Sequence, residues 1–240
     1  MTPSITPRLP RTLALSAALA IALTACGGDK QPADASKRAT GNDGPVAATS
    51  APKAEGPRPT LADGPDVCFR LISEQLGKDL KVSEITSFFS AGSDIDSMAR
   101  KPAGEMTTCN VKYQSPDDAR KLVSQDLNLG TGKFDPPKPL EITVMGNAAD
   151  FRLDDYLIPL SQVNAAGLTS VMTSQKPALD KVYSQYAWDG VRLTAPGPFS
   201  DQHTLRLDVE GRLAANDIKE NGYASVSVNG KDITTNNLTP

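Results

Sequence analysis

Cysteine and histidine are the residues of this chain best suited to chemistry, and it has only three of the first and one of the second. The histidine, His203, follows Ser200 and Asp201. A Ser/His/Asp catalytic set must converge in space beside an oxyanion site. Three near neighbours on one turn do not provide that, and no G-x-S-x-G elbow occurs. His203 therefore reads as a surface or edge-strand residue. Zinc needs His and Cys ligands at suitable spacing, which one His and a pair of Cys cannot supply. The acidic pairs Asp94/Asp96, Asp117/Asp118 and Asp154/Asp155 lie outside any calcium-loop pattern. Paired carboxylates could serve a glycosidase, but such sites also need an aromatic-rich cleft, and aromatics make up 5% of the chain with one Trp. Gly-rich phosphate loops are absent. The sequence thus predicts no catalytic, metal-ligating or cofactor-binding residue, and no enzyme.

The cysteines separate by context. Residues 1–11 carry Arg8 and Arg11 and no acid, and residues 12–25 are uncharged and mostly Leu, Ile and Ala. A positive start, a short apolar run and small residues make a secretion signal; a membrane-spanning helix needs about 20 apolar residues. The run ends in Leu23-Thr24-Ala25-Cys26. This stretch resembles the lipobox of bacterial lipoproteins, a resemblance confined to the first 27 residues or so. It implies that the Cys26 thiol carries a diacylglyceryl group and that residues 1–25 are removed, leaving Cys26 as the acylated first residue. Two or three chains of the palmitate kind anchor stably, because each buried methylene contributes about 0.8 kcal/mol. Gly27 stands where an Asp would favour retention at the inner membrane. The resemblance therefore implies a lipid anchor in the cell envelope, at the periplasmic face of the outer membrane. Cys68 and Cys109 remain. In an oxidising compartment an even pair reads as a disulfide, the alternative being two separately buried thiols. The loop it closes holds about 42 residues, for which chain entropy gives roughly 4 kcal/mol.

Charge narrows the partners. The 25 Lys and Arg fall to 23 once Arg8 and Arg11 are removed, against 28 acids. No basic cluster tracks a phosphate backbone, so nucleic acid is not an expected partner. Residues 27–64 contain Pro32, Pro45, Pro52, Pro57 and Pro59 and have no apolar residue larger than Val before Leu61. Such a segment buries too little surface to offset its entropy and is expected to be a disordered linker. It would span roughly 30–40 Å.

The elements that must position any site lie in residues 65–240. Pro65 and Gly77 bracket a helix over residues 65–77 with Cys68, Leu71, Ile72 and Leu76 on one face. Residues 82–90 and 106–114 read as strands. In the second, Cys109, Val111 and Tyr113 face one way, so a disulfide would staple the helix to the strand's inner face. Residues 116–127 read as a helix capped by Ser115, residues 130–139 as a loop and 140–145 as a strand. A second helix is predicted over 177–188, opened by Pro177, with Tyr183 and Tyr186 on its apolar face. Strands follow at 190–195, 203–210 and 223–228, then a two-residue Asn229-Gly230 turn and a returning strand at 231–235. Phe88 and Phe89 point to opposite faces. The predicted fold is α+β, with two units related by duplication, each a helix on an antiparallel sheet: residues 65–150 and 151–240. The likeness of residues 140–151 to 224–234 motivates that idea.

These features lead to the expectation of a non-catalytic protein-binding module tethered in the periplasm. An immunity lipoprotein against a periplasmic toxin and a structural or assembly lipoprotein are its alternatives, with a hydrolase behind them.

Overall fold

The computed structural model describes residues 58–144, 147–197 and 200–240. Cys26, the signal segment and most of the expected linker lie outside the described residues. From Arg58 the chain is already engaged. Met106 donates its N–H to the Pro59 carbonyl at 2.9 Å and Leu61 donates to Gly104 at 2.8 Å.

The architecture is α+β, dominated by a ten-stranded sheet whose strand pairs among the described residues are all antiparallel. Helix α1 (Val67–Leu76) leads into β1 (Lys81–Phe89), β2 (Met106–Gln114) and β3 (Leu122–Asn128), with β4 (Lys133–Phe134) and β5 (Lys138–Leu140) both on β3. β6 (Ile158–Pro159) touches the start of β1. Helix α2 (Leu168–Val182) then leads into β7 (Tyr183–Thr194), β8 (Thr204–Leu213), β9 (Lys219–Ser227) and β10 (Ile233–Asn237). The order across the sheet is β10-β9-β8-β7-β1-β2-β3-β4. Two meanders therefore meet at the antiparallel β1/β7 pair, registered from Ile85↔Leu193 to Phe88↔Gly190.

One face of the sheet is apolar because alternate residues are. Ile85, Cys109, Val111, Val123, Val191, Leu193, Leu205, Leu207, Ala224 and Val226 are all buried. They form one cluster with Val67, Cys68 and Ile72 of α1 and with Leu168, Val171 and Leu179 of α2. Burying a side chain of this size contributes about 1.5–3 kcal/mol. Cys68 and Cys109 are joined in a disulfide with Cα atoms 5.6 Å apart, which fixes α1 to the inner side of β2. Ser87 is buried too, and its hydroxyl donates to the Val191 carbonyl at 2.8 Å, tying the two meanders together.

Several predicted elements need correction. Residues 116–127 are not a helix: a turn runs to Lys121 and β3 follows. Asp118 explains the turn, since its carboxylate accepts from the Arg120 backbone N–H at 3.1 Å and from the Arg120 guanidinium at 3.0 Å. Local side-chain bonds of this kind compete with helix formation. The predicted 130–139 loop contains β4 and most of β5, and among the described residues of the predicted 140–145 strand only Leu140 is in a strand. α2 begins at Leu168 and carries Pro177 in its interior. Its apolar stripe of Leu168, Val171, Met172, Leu179 and Val182 at helical spacing outweighs the single missing donor. Tyr183, Tyr186 and Trp188 consequently lie on β7. The turn after β9 is longer than two residues, because Ser227 donates to Asp232 at 2.8 Å. The Asn229 side chain organises it, with bonds to Ser227 at 2.6 Å, Asp232 at 2.7 Å and the Lys231 N–H at 2.8 Å. Finally, the sequence likeness between 140–151 and 224–234 falls on unlike elements, the end of β5 in one case and the end of β9 in the other.

Candidate functional site

Both helices pack on the apolar face, so the other face of the sheet is where polar side chains gather. Thr204, Arg206, Asp208 and Glu210 occupy alternate positions of β8, opposite in sense to Leu205, Leu207 and Val209. Registration brings Arg192 of β7 beside Arg206, and Asp208 beside both Gly190 and Tyr223. Phe88 of β1 pairs with Gly190 and completes the row.

Asp208 organises this patch. Its side chain is 13% exposed. Arg192 binds it with two hydrogen bonds, Nε to Oδ2 at 2.8 Å and a terminal nitrogen to Oδ1 at 2.7 Å. Arg206 Nε adds a third to Oδ1 at 2.8 Å. The guanidinium of Arg192 lies 5.6 Å from the Phe88 ring centroid and that of Arg206 3.9 Å from that of Tyr223. Charge-assisted, ring-stacked arginines of this kind keep their orientation. Gly190 makes room for the carboxylate: a Cβ there would sit 2.7 Å from Asp208 Oδ2.

Asp189 lies in the β7 bulge between Trp188 and Gly190. Burial, and then the charges of Asp208 and Glu210, push its carboxyl up to about 6. Its Oδ1 has no hydrogen-bond partner among the described residues. Glu210 is held by Lys219, whose Nζ lies 2.6 Å from Oε1 and 3.8 Å from Asp96 Oδ2. Arg212 Nε donates to the Asp94 carbonyl at 3.2 Å. The loop between β1 and β2 is thus tied down where β8 turns into β9.

At the opposite end of β8 lies a basin of about 640 Å³. Thr194, Thr204, Ser225, Ser227, Thr234 and Thr235 line much of it, with Arg206 and Tyr223 on the side nearest Asp208. His203 sits on its rim with Nε2 3.2 Å from the Tyr156 carbonyl oxygen. Burial lowers the His203 pKa, against the opposing pull of the Tyr156 and Ser83 carbonyls.

The other residues singled out from sequence do not converge here. Asp117 and Asp118 sit in the turn before β3, and Asp154 pairs with Lys81 at 3.1 Å. Trp188 and Tyr183 are buried. Tyr183 donates its hydroxyl to the Leu238 carbonyl at 2.9 Å, a structural use. Phe89 is buried and Phe88 half-buried on the outer face. Among the described residues, no group of three or more His, Cys, Asp or Glu is placed to hold a metal. None of their helices is long and apolar enough to cross a membrane. The sequence alone does not mark the Arg192–Asp208–Arg206 cluster. Alternation in residues 203–210 gave its β8 half, but nothing local pairs β8 with residue 192.

No family model matches the chain, and no match was found among curated proteins or solved structures.

Proposed function

We propose that this chain is a lipid-anchored protein of the cell envelope, held through Cys26 at the periplasmic face of the outer membrane. In this reading it binds another envelope protein and performs no catalysis. Residues 1–26 support the location. The observation that carries the binding role is the outer face of the sheet, where Arg192 and Arg206 are fixed by one carboxylate and flanked by Phe88 and Tyr223. Arginine and aromatic side chains are the types enriched at protein interfaces, and rigid ones lose little entropy on binding. Neither helix covers this face. A linker from residue 27 to Arg58 would let it reach a partner away from the lipid headgroups.

Two measurements test this. Mass spectrometry of the protein extracted from membranes should find a chain beginning at an acylated Cys26; a chain that begins elsewhere or lacks acyl mass removes the envelope assignment. Photo-crosslinking in intact cells, with the probe at Asn221 on the outer face or at exposed Glu74 on α1, should capture one discrete partner from the first position alone. Equal capture from both, or from neither, rejects the outer face as the binding surface.

The two meanders also suggest an origin by duplication. Helix α1 with β1–β3 and helix α2 with β7–β9 share one order, and they meet across an antiparallel central pair. Superposition of residues 67–128 on 168–227 tests this: strands that cannot be matched without reordering would rule it out.

A further inference from the structure

We propose that the basin lined by β7–β10 binds a sugar unit carrying one carboxylate or phosphate. The basin shares Arg206 and Tyr223 with the proposed protein-binding face, but the inference rests on the chemistry of its own lining. Six hydroxyl side chains, Thr194, Thr204, Ser225, Ser227, Thr234 and Thr235, come from four adjacent strands, and Arg206, the one full positive charge among the described lining residues, stands at one end. Among the described residues no carboxylate lines the basin. Hydroxyls both donate and accept, which matches a ligand made mostly of hydroxyls, while Ala195, Tyr223 and Val228 offer apolar surface to the faces of a sugar ring. The volume of about 640 Å³ falls within the usual range for small-ligand sites, about 300–1,000 Å³.

Arg206 is prepared for an anion. Its Nε is spent on Asp208 Oδ1 at 2.8 Å, and its guanidinium lies over Tyr223. Its terminal nitrogens make no hydrogen bond to a described residue. Asp208 is shared with Arg192, which binds both carboxylate oxygens. One carboxylate therefore faces two guanidinium groups, and the pair keeps a surplus positive charge. Asp189 and Glu210 lie along the strands on the far side of Asp208 from the basin and do not line it. The hydroxyls of Ser225 and Thr235 likewise have no partner among the described residues. Thr194 and Thr204 are linked to each other at 2.8 Å, which holds both in place. The same chemistry is offered by a uronic acid and by a sugar phosphate; either would meet the guanidinium with its anionic group and the hydroxyl rows with its ring.

Titration calorimetry of the purified full chain in detergent tests this with glucuronate, glucose 6-phosphate, glucose, acetate and inorganic phosphate. Glucuronate or glucose 6-phosphate should bind at least tenfold more tightly than glucose and than the matching simple anion, and whichever does identifies the anionic group. Arg206→Met should remove that preference for the anionic sugar. Because Arg206 also belongs to the ion cluster, Ser225→Ala and Thr235→Val serve as a second pair of variants. These should weaken the anionic sugar several-fold while leaving thermal unfolding unchanged. Glucose binding as well as its charged forms, simple anions binding as well as the sugars, or an acidic peptide displacing them all would each overturn the proposal. So would no heat at millimolar ligand, or full affinity in Ser225→Ala/Thr235→Val.

Discussion

Asp208→Asn is the sharpest probe of the outer face. The asparagine keeps the shape and one acceptor but loses the charge that three hydrogen bonds of 2.7–2.8 Å share. Hydrogen bonds to charged groups contribute about 1.5–3 kcal/mol each, and removing one partner of a buried ion pair costs about 3–5 kcal/mol. The arginine side chains are 27% and 33% exposed, so water recovers part of that loss. A net destabilisation of about 3 kcal/mol is expected. For a fold of this size that lowers the Tm by roughly 6–12 °C. Urea unfolding followed by Trp188 fluorescence reads it directly, because Trp188 is the sole Trp and is 8% exposed. Double-mutant cycles with Arg192→Met and Arg206→Met divide the loss. Coupling to Arg192, which makes two of the three bonds, should exceed coupling to Arg206. A loss below about 1 kcal/mol, or the reverse order of coupling, would refute the view that Asp208 organises the patch.

Asp189 should show the opposite sign. Its folded-state pKa of about 6 exceeds the ordinary carboxylate value, so the folded chain holds this proton more tightly than the unfolded one. Its contribution to stability is therefore greatest at low pH and falls as pH rises from about 4 through about 6. Asp189→Asn should flatten that window and raise stability at pH 7 by about 1–2 kcal/mol, a figure reduced for solvent screening; unchanged urea curves at pH 4 and 7 would count against it. Gly190→Ala should cost about 1–3 kcal/mol by crowding the Asp208 carboxylate, and Asp208→Ala should abolish most of that cost when the two are combined. Reduction of Cys68–Cys109, which spans 41 positions, should lower stability by about 4 kcal/mol in the same urea assay; a change under 1 kcal/mol would show that the unfolded chain gains little freedom.

Strands with strict alternation were legible in the sequence. β2 matches its predicted bounds, and β8 differs mainly by extending to Leu213. There one side of each strand meets a core and the other meets water, so the pattern and the burial share a cause. The pairing of Cys68 with Cys109 was legible from the even pair of cysteines left once Cys26 is set aside, and the helical and strand periods then placed both on inner faces. Residues 116–121 were misread because Asp117, Asp118 and the Arg and Lys after them suit a helix start as well as an Asx-type turn, and only the Asp118–Arg120 bonds decide between them. α2 was placed too late because Pro177 looked like a first-turn proline. Its actual start at Leu168 has no side-chain cap to advertise it. The outer-face cluster was half visible: Arg206, Asp208 and Glu210 share a side by alternation, but Arg192 joins them only through strand registration. Long-range pairing of that kind leaves no local mark on a sequence.

The β1/β7 seam has a consequence for how the molecule comes apart. Each meander leaves a raw strand edge and an incomplete apolar layer unless the other is present, and residues 141–144 and 147–150 between them are mostly exposed. A protease cut in that stretch should leave two fragments that co-elute as one particle. Expressed separately, they should be insoluble alone and reassemble when mixed, a split-protein pair supplied by the topology itself.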